Sequence, residues 1–481
     1  MLMKPYKILI FIVLSFSALG ILGYIFPKNG VQMGEMALRF PSPSSIFTVE
    51  KSDNVDIEKN LEDLKEQTDI SKMQSIADSL LFFREFVTNN KARLYFPNND
   101  YTYFDKFFAR LEKAENASKT LHILHYGDSQ IEMDRISSIF RQHLQEKFSG
   151  EGAGIVPAIQ TIPSITVRQS FSGSLSRYVV YGDTSQPRAS HKRYGLLANV
   201  AQLNGSATVT VGESTYKQAQ ERTKKFSRLV LILGNNAAGF SANCRSQNYS
   251  IKEEKKNVSL LTWNFDPPVS RASIDLSGKA DIYGISMEGK SGVTVDNIPL
   301  RGCSGTIFTR IDSLTLSQCY EQMNVGMIIL QFGGNMMPQI NSQKAVDNYM
   351  NMISKQIQYL KRLCPNAMIL FIGPSDMSKR INGTMQTYPY LPALNEALKE
   401  TVRKNKGAYW DMFNVMGGEN SMLSWVKHSP AWAGSDYIHF TEAGANQIAV
   451  TLSDAFMVHY KFYSLRKVCD PALIEQFMGR K

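Results

Sequence analysis

The feature that most constrains the fold of this 481-residue chain is a recurring order of apolar strand, tight turn and amphipathic helix. It first occurs at residues 121–144, where an apolar run ends at Gly-Asp-Ser and helical periodicity follows. The same order returns at 325–363 and 367–404, before a short strand at 408–411 and a final helix at 441–460. Strands that alternate with helices in this way form a parallel sheet covered on both faces. The sequence therefore predicts an α/β fold with three layers, α/β/α.

A segment with a different residue pattern separates the first of these units from the second. From residue 167 to residue 291, apolar and polar residues alternate as in strands, and Gly, Asn and Asp mark turns. We interpret this segment as a β-sandwich inserted into the α/β domain. The predicted domains are an N-terminal membrane anchor or signal at 1–30, a linker and helical prelude at 31–115, the first part of the α/β domain at 116–166, the insert at 167–291 and the second part at 292–481.

The first turn carries a hydroxyl at the place where open α/β sheets bind their ligands. Ser129 follows the strand directly, so we expect it at the carboxyl edge of the sheet and at the start of the next helix. There, free N–H groups and the helix dipole favour a developing anion. A serine at this position can also act only as a helix N-cap, so a catalytic role requires a base and an acid elsewhere in the chain.

Suitable partners occur near the end of the chain, just before the final helix. Asp436 and His439 are three residues apart, a spacing that lets a carboxylate accept the imidazole Nδ1–H while Nε2 faces a serine. The same spacing is common in purely structural turns. Its position before the last helix of the domain whose first strand carries Ser129 favours the catalytic interpretation.

Hydrolysis through a serine also needs hydrogen-bond donors for the oxyanion of the tetrahedral intermediate. Asn335 offers a side-chain amide after a later strand. Residues 301–305, Arg-Gly-Cys-Ser-Gly, offer a backbone N–H in a turn where glycine permits close approach. Each element alone is typical of an ordinary turn, but all four occur in order and at predicted strand ends.

These elements resemble the four blocks of the SGNH (GDSL-type) hydrolase superfamily, which carry Ser, Gly, Asn and His. Gly-Asp-Ser at 127–129 matches block I, Gly-Cys-Ser-Gly at 302–305 block II, Gly-Gly-Asn at 333–335 block III and Asp-Tyr-Ile-His at 436–439 block V. The resemblance covers about residues 119–160 and 300–460. Within the superfamily, the chain is similar to bacterial peptidoglycan O-acetylesterases that carry an inserted β-sandwich resembling a carbohydrate-binding module.

The resemblance implies a role for each matched residue. Ser129 would be the nucleophile, His439 the general base and Asp436 the residue that orients the base. The oxyanion hole would consist of the backbone amides of Ser129 and Gly305 and the side chain of Asn335.

Two blocks depart from the usual pattern. Block III usually continues with an acidic residue, where this chain has Met336, so any support for Asn335 must come from elsewhere. Block II is the weakest match, and Gly302 could replace Gly305 as the donor.

The N-terminus carries an apolar segment. Residues 8–26 are 19 residues without a charge, preceded by Lys4 and Lys7. As a helix they would reach about 28 Å, close to the thickness of the hydrocarbon core of a bilayer. A cleaved signal peptide is the alternative, but Tyr-Ile-Phe-Pro at 24–27 lacks the small residues of a cleavage site. We predict an uncleaved anchor that leaves the catalytic part in the periplasm or outside the cell.

Charge and cysteine content weigh against other classes of protein. The net charge is +10, but the basic residues are scattered along the chain, so we expect no nucleic-acid partner. The five cysteines lie far apart with no CxxC pair, which excludes a zinc ribbon and a thioredoxin-type redox site. We expect neither a metal nor a cofactor.

The sequence leaves three functions open. The leading hypothesis is a serine esterase that removes O-acetyl groups from a cell-wall or other extracytoplasmic glycan. The first alternative is an O-acetyltransferase that uses the same triad and a membrane acyl-donor partner, because the choice of acceptor depends on how the cleft excludes water. The second is a glycan-binding protein without activity, which Met336 would favour.

Overall fold

A computed structural model describes residues 5–25, 31–33, 36–38, 55–73 and 75–478 of the chain. The chain divides into two compact units, one of Met1–Asn54 with Arg380–Gln386 and one of Val55–Lys379 with Thr387–Lys481. Much of the predicted linker, residues 39–54, lies outside the described residues.

The N-terminal part of the first unit contains a helix and a hairpin. Helix α1 (Pro5–Ile25) covers most of the segment predicted as an anchor, and β1 (Val31–Met33) pairs with β2 (Met36–Leu38). In the described part of the chain, no helix combines the length and the apolar character needed to span a bilayer. The anchor stays a prediction from the sequence.

The remaining elements follow from residue 57 onward. The helices are α2 (Ile57–Thr68), α3 (Ile76–Asn89), α4 (Asp105–Ala114), α5 (Ser137–Phe148), α6 (Ser313–Gln322), α7 (Gln343–Leu363), α8 (Leu391–Lys404), α9 (Met412–Val415), α10 (Ser421–Lys427), α11 (Glu442–Arg466) and α12 (Pro471–Met478). The strands are β3 (Leu94–Tyr95), β4 (Leu121–Gly127), β5 (Gly154–Val156), β6 (Val167–Val179), β7 (Asn199–Glu213), β8 (Phe226–Gly234), β9 (Phe240–Cys244), β10 (Gln247–Ile251), β11 (Ser259–Val269), β12 (Arg271–Glu288), β13 (Val293–Pro299), β14 (Val325–Gln331), β15 (Met368–Ile372), β16 (Ser378–Ile381), β17 (Thr384–Thr387) and β18 (Ala408–Trp410).

A six-stranded sheet in the order β13-β4-β14-β15-β18-β3 carries the predicted strand–turn–helix units. Its first five strands are parallel, and β3 is antiparallel to β18. Neighbouring residues on β4 point to opposite faces: Ile123 packs in the core built with α3, α4, α5 and α11, and Leu124 in the core built with α6, α7 and α8. The predicted α/β fold with a parallel sheet is confirmed.

Two edge strands of this sheet are missing from the sequence prediction. The apolar pattern of β13 is interrupted by Thr294 and Asp296, which are fully buried, and Asp296 binds His122 at 2.8 Å. Strand β3 has two residues, too few for a periodic signal, and lies in the segment predicted as linker and helical prelude.

Residues 154–288 form an eight-stranded, largely antiparallel sheet. Its longest strand, β12, pairs with β7 along its first part and with β8 along its second part. Strand β5, which comes before residue 167, also pairs with β12. Since Val55–Lys379 belong to one compact unit, the division into an inserted domain at 167–291 stays a prediction.

Candidate active site

The register of the parallel sheet brings three strand ends to one place. Gly127 of β4 pairs with Gln331 of β14, which in turn pairs with Ile372 of β15. The turns that follow these strands line a pocket of about 160 Å³, together with His439 from the turn before α11. The pocket thus lies at the carboxyl edge of the sheet, where open α/β folds bind ligands.

The turn after β4 differs from the expected start of a helix. Ser129 begins a 3₁₀ segment, Ser129–Asp134, with two non-helical residues inside it, and α5 starts only at Ser137. The side chain of Asp128 caps this segment by accepting a hydrogen bond from the Gln130 amide at 3.0 Å. Ser129 is therefore the first residue of this short 3₁₀ segment and not of α5, so the dipole of a long α-helix does not explain its position.

Three side chains from the two ends of the α/β domain form a continuous line of hydrogen bonds. Ser129 Oγ lies 2.7 Å from His439 Nε2, and His439 Nδ1 lies 2.7 Å from Asp436 Oδ2. The other oxygen of Asp436 accepts the backbone N–H groups of Ile438 at 3.0 Å and of His439 at 3.1 Å. The geometry is that of a hydroxyl, a base and an orienting carboxylate.

The environment keeps the Asp436 carboxylate charged. Burial alone would raise its pKa, but hydrogen bonds from the His439 ring and from the backbone amides of His439 and Ile438 outweigh burial, so the pKa lies below the ordinary value of an aspartate. The Asp436 and His439 side chains remain 49% and 40% exposed, so solvent reaches this end of the line.

Asn335 lies at the pocket and finds the support that Met336 does not supply. Its Nδ2 donates to Asp128 Oδ2 at 3.0 Å and to the carbonyl oxygen of Cys303 at 3.2 Å. Burial raises the pKa of Asp128 to about 6. Both N–H groups of the Asn335 amide are therefore bound within the protein, and donation to a substrate would require one of these bonds to be exchanged.

The structure does not bring Gly305 to the same pocket. Gly305 is buried with φ +77°, and its N–H donates to Cys303 Sγ at 3.3 Å. A Cβ at this position would come within 2.7 Å of the Phe332 ring, which explains the need for glycine. Gly302 is exposed and is also not part of the pocket wall. The oxyanion role of either glycine stays a prediction.

Gln130, which belongs to none of the sequence motifs, joins the serine turn to the histidine turn. Its Nε2 donates to the Ile438 carbonyl at 2.7 Å and to Ser375 Oγ at 3.2 Å, and its Oε1 accepts the Phe440 amide at 3.2 Å. The side chain is buried. The sequence offers one signal for this role: Gln130 is a polar residue directly after Ser129.

Arg135 joins the same two turns from another side. Its guanidinium donates to the Phe440 carbonyl at 2.6 Å and to the Ser129 carbonyl at 3.0 Å. Burial lowers its pKa, although the charge of Glu132 opposes this shift. Together with Gln130, it fixes the backbone on either side of the Ser129–His439 contact.

Replacing Gln130 with methionine tests its positioning role. The variant keeps the side-chain volume but leaves the Phe440 amide and the Ile438 carbonyl unpaired, so we expect a fall in kcat of about 10- to 100-fold with little change in KM. The unpaired groups should also cost about 1–3 kcal/mol in the free energy of unfolding. Gln142→Met, whose amide contacts Glu146 on the same helix, is the control and should change neither quantity measurably. An unchanged kcat in Gln130→Met would refute the role.

Two other histidines lie apart from the catalytic line. His125 is buried between Gln331 and Ser137, and burial lowers its pKa to about 4, so it is neutral. His428 stacks on Trp432 with ring centroids 3.6 Å apart and is not part of the pocket wall.

Comparison with solved structures confirms the predicted resemblance to peptidoglycan O-acetylesterases at the level of the fold alone. The chain is similar to a structure described as a peptidoglycan O-acetylesterase in action, with a TM-score of 0.62 and 19% sequence identity over 74% of this chain and 96% of that chain. At this identity the likeness shows a common fold.

Weaker matches include a family two carbohydrate esterase from Cellvibrio japonicus, with a TM-score of 0.24 and 8% identity over 62% of this chain and 99% of that one. A salicylyl-acyltransferase from a tetracycline biosynthetic pathway matches with a TM-score of 0.26 and 8% identity over 59% of this chain and 95% of that one. Neither score supports an argument about function. No protein-family model matches the sequence, and no curated protein is significantly similar to it.

Proposed function

We propose that the protein is a serine esterase that removes O-acetyl groups from a glycan outside the cytoplasm. The observation that carries this proposal is the line from Asp436 through His439 to Ser129 at the edge of a small pocket. The fold shared with a peptidoglycan O-acetylesterase supports an acetylated glycan, such as a cell-wall polymer, as the substrate.

In the proposed reaction, Ser129 Oγ attacks the acetyl carbonyl while His439 Nε2 takes its proton. Asp436 accepts the Nδ1–H and stabilises the imidazolium. The sugar oxygen leaves with the proton from His439, and an acetyl-enzyme forms on Ser129. Water then gives a proton to His439 and attacks the acetyl group, which releases acetate and restores the serine hydroxyl. The acetyl methyl fits among Phe332, Pro338 and other apolar residues of the pocket wall.

For the oxyanion we propose the Ser129 amide and the Asn335 side chain as donors. Asn335 would exchange its 3.2 Å bond to the Cys303 carbonyl for a bond to the developing charge, while Asp128 continues to hold the other N–H. The location outside the cytoplasm rests on the apolar sequence of residues 8–26. The glycan-binding role of residues 167–291 rests on the resemblance alone.

The proposal is tested by incubating the protein with O-acetylated peptidoglycan and measuring free acetate and acetylated sugar separately. We expect acetate as the main product, and labelling of the wild type but not of Ser129→Ala by a fluorophosphonate probe. Transfer of acetyl to an added glycan in place of acetate release would favour the O-acetyltransferase and its acyl-donor partner. Glycan binding with neither product nor labelling would favour the inactive binding protein.

A further inference from the structure

The wall of the catalytic pocket includes a tyrosine that the proposed reaction does not use. Tyr388 follows β17 directly and lines the pocket together with Ser129 and His439. The pocket has a volume of about 160 Å³. A cavity of roughly this volume takes up one benzene molecule. An ester whose carbonyl group lies at Ser129 therefore extends to Tyr388.

The hydroxyl group of Tyr388 is available to a ligand. It makes no hydrogen bond within the described part of the chain, and it stays open to solvent because the side chain is only half-buried. Buried tyrosines of the same unit differ in this respect. The hydroxyl of Tyr126 donates to the Leu196 carbonyl at 2.6 Å, and that of Tyr349 to the Ser304 carbonyl at 2.8 Å. The Tyr388 hydroxyl can thus donate one hydrogen bond to a ligand and accept another.

The position of the Tyr388 ring is well defined by its surroundings. Its backbone N–H donates to the Met377 carbonyl at 3.0 Å, and the ring packs against the core built with α6, α7 and α8. Lys379 Nζ lies over the ring, 5.1 Å from its centroid. The preceding residue, Thr387, donates its hydroxyl to the buried carboxylate of Asp376 at 2.7 Å. A ligand therefore loses little free energy in ordering this side chain.

The same stretch of chain is bound to the turn that carries the catalytic base. The backbone N–H of Ser378 donates to the Tyr437 carbonyl at 3.0 Å. Tyr437 lies between Asp436 and His439 in the sequence. The wall that carries Tyr388 is therefore held in place relative to the His439 turn.

We propose that Tyr388 selects for esters of sugars, through a hydrogen bond between its hydroxyl and a hydroxyl group of the sugar that carries the acetyl group. The inference deepens the proposed esterase function and rests on it. A pyranose carries hydroxyl groups close to the ester oxygen, whereas a simple alcohol does not. A site with a polar group prepared for such a hydroxyl discriminates against substrates that lack it.

The test compares two acetates, methyl 6-O-acetyl-α-D-glucopyranoside and 2-methoxyethyl acetate. Both are esters of a primary alcohol with an ether oxygen on the next carbon, but only the first carries hydroxyl groups. We expect the wild type to hydrolyse the sugar acetate with a kcat/KM at least about fivefold higher, since a hydrogen bond contributes about this factor. The ratio of the two kcat/KM values is the selectivity.

Tyr388→Phe removes the hydroxyl and keeps the ring. The selectivity should fall by about three- to tenfold, and the loss should appear as a higher KM for the sugar acetate, because the bond is made in the ground state and in the transition state alike. Tyr390→Phe is the matched control. Tyr390 is exposed, lies two residues further on and is not part of the pocket wall, so this variant should retain the selectivity.

Equal kcat/KM values for the two acetates in the wild type, or an unchanged selectivity in Tyr388→Phe, would overturn the inference. Failure of the esterase proposal looks different, because the wild type would then hydrolyse neither acetate. In that case the intact sugar acetate is titrated into the wild type and into Tyr388→Phe and its binding is followed by NMR. Weaker binding by the variant would support the role of Tyr388, and equal binding or none would refute it.

Discussion

Replacing Ser129 with alanine is expected to lower kcat/KM for an aryl acetate by at least about 10³-fold. The hydroxyl is 2.7 Å from His439 Nε2, so its removal leaves the base with no nucleophile to activate. What remains would come from the pocket and the oxyanion donors acting on an attacking water, which supply only a small part of the rate enhancement.

The matched control for this variant is Ser375→Ala. Ser375 lines the same pocket, but its hydroxyl accepts a bond from Gln130 and does not face an imidazole. We expect it to lose less than about tenfold, with both variants unfolding within a few degrees of the wild type. Activity of Ser129→Ala within a few-fold of the wild type would end the esterase proposal.

The position of the catalytic line follows from rules that act over the whole sheet. Apolar runs that end in turns predict parallel strands, and parallel strands place their carboxyl ends at one edge. For this reason Ser129 and Asn335 are predictable as neighbours, whereas His439, 310 residues after Ser129, is predicted from the resemblance and not from a strand end. The Asp436–His439 contact needs only the local spacing of three.

The connections that hold the two turns together are not predictable in the same way. The partners of Gln130 and Arg135 are backbone groups of residues 438–440, and a backbone group has no sequence signature. The N–H of Gly305 is likewise taken up by a sulfur two residues earlier, which depends on the exact path of the turn. Edge strand β13 is not recognisable in the sequence, because Asp296 interrupts its apolar pattern. This buried carboxylate binds the ring of His122, a contact that no local pattern reveals.

Replacing Asp436 with asparagine should reduce kcat/KM by about 10²- to 10³-fold. One carboxylate oxygen accepts two backbone N–H groups, so the asparagine oxygen is expected to keep these bonds and to turn its NH₂ toward His439 Nδ1. Nδ1 must then accept, and the proton moves to Nε2, where it blocks the removal of the Ser129 proton. We expect a smaller loss than for Ser129→Ala. The Asp436–His439 pair is half-exposed, so water can take over part of the role of the lost carboxylate.

The kinetics of this variant separate a catalytic carboxylate from a merely structural one. Because the pKa of Asp436 is lowered, the wild-type residue is ionised at neutral pH, and the loss should appear in kcat at pH 7 with KM nearly constant. Glu442→Gln, which removes a carboxylate three residues after His439 whose side chain bonds Gln218, is the control and should stay within about twofold of the wild type. A variant Asp436→Asn that unfolds at lower temperature but turns over the ester at the normal rate would show that Asp436 shapes only the turn. A loss in kcat without a loss in thermal stability would instead assign it to the orientation and charge of the His439 ring.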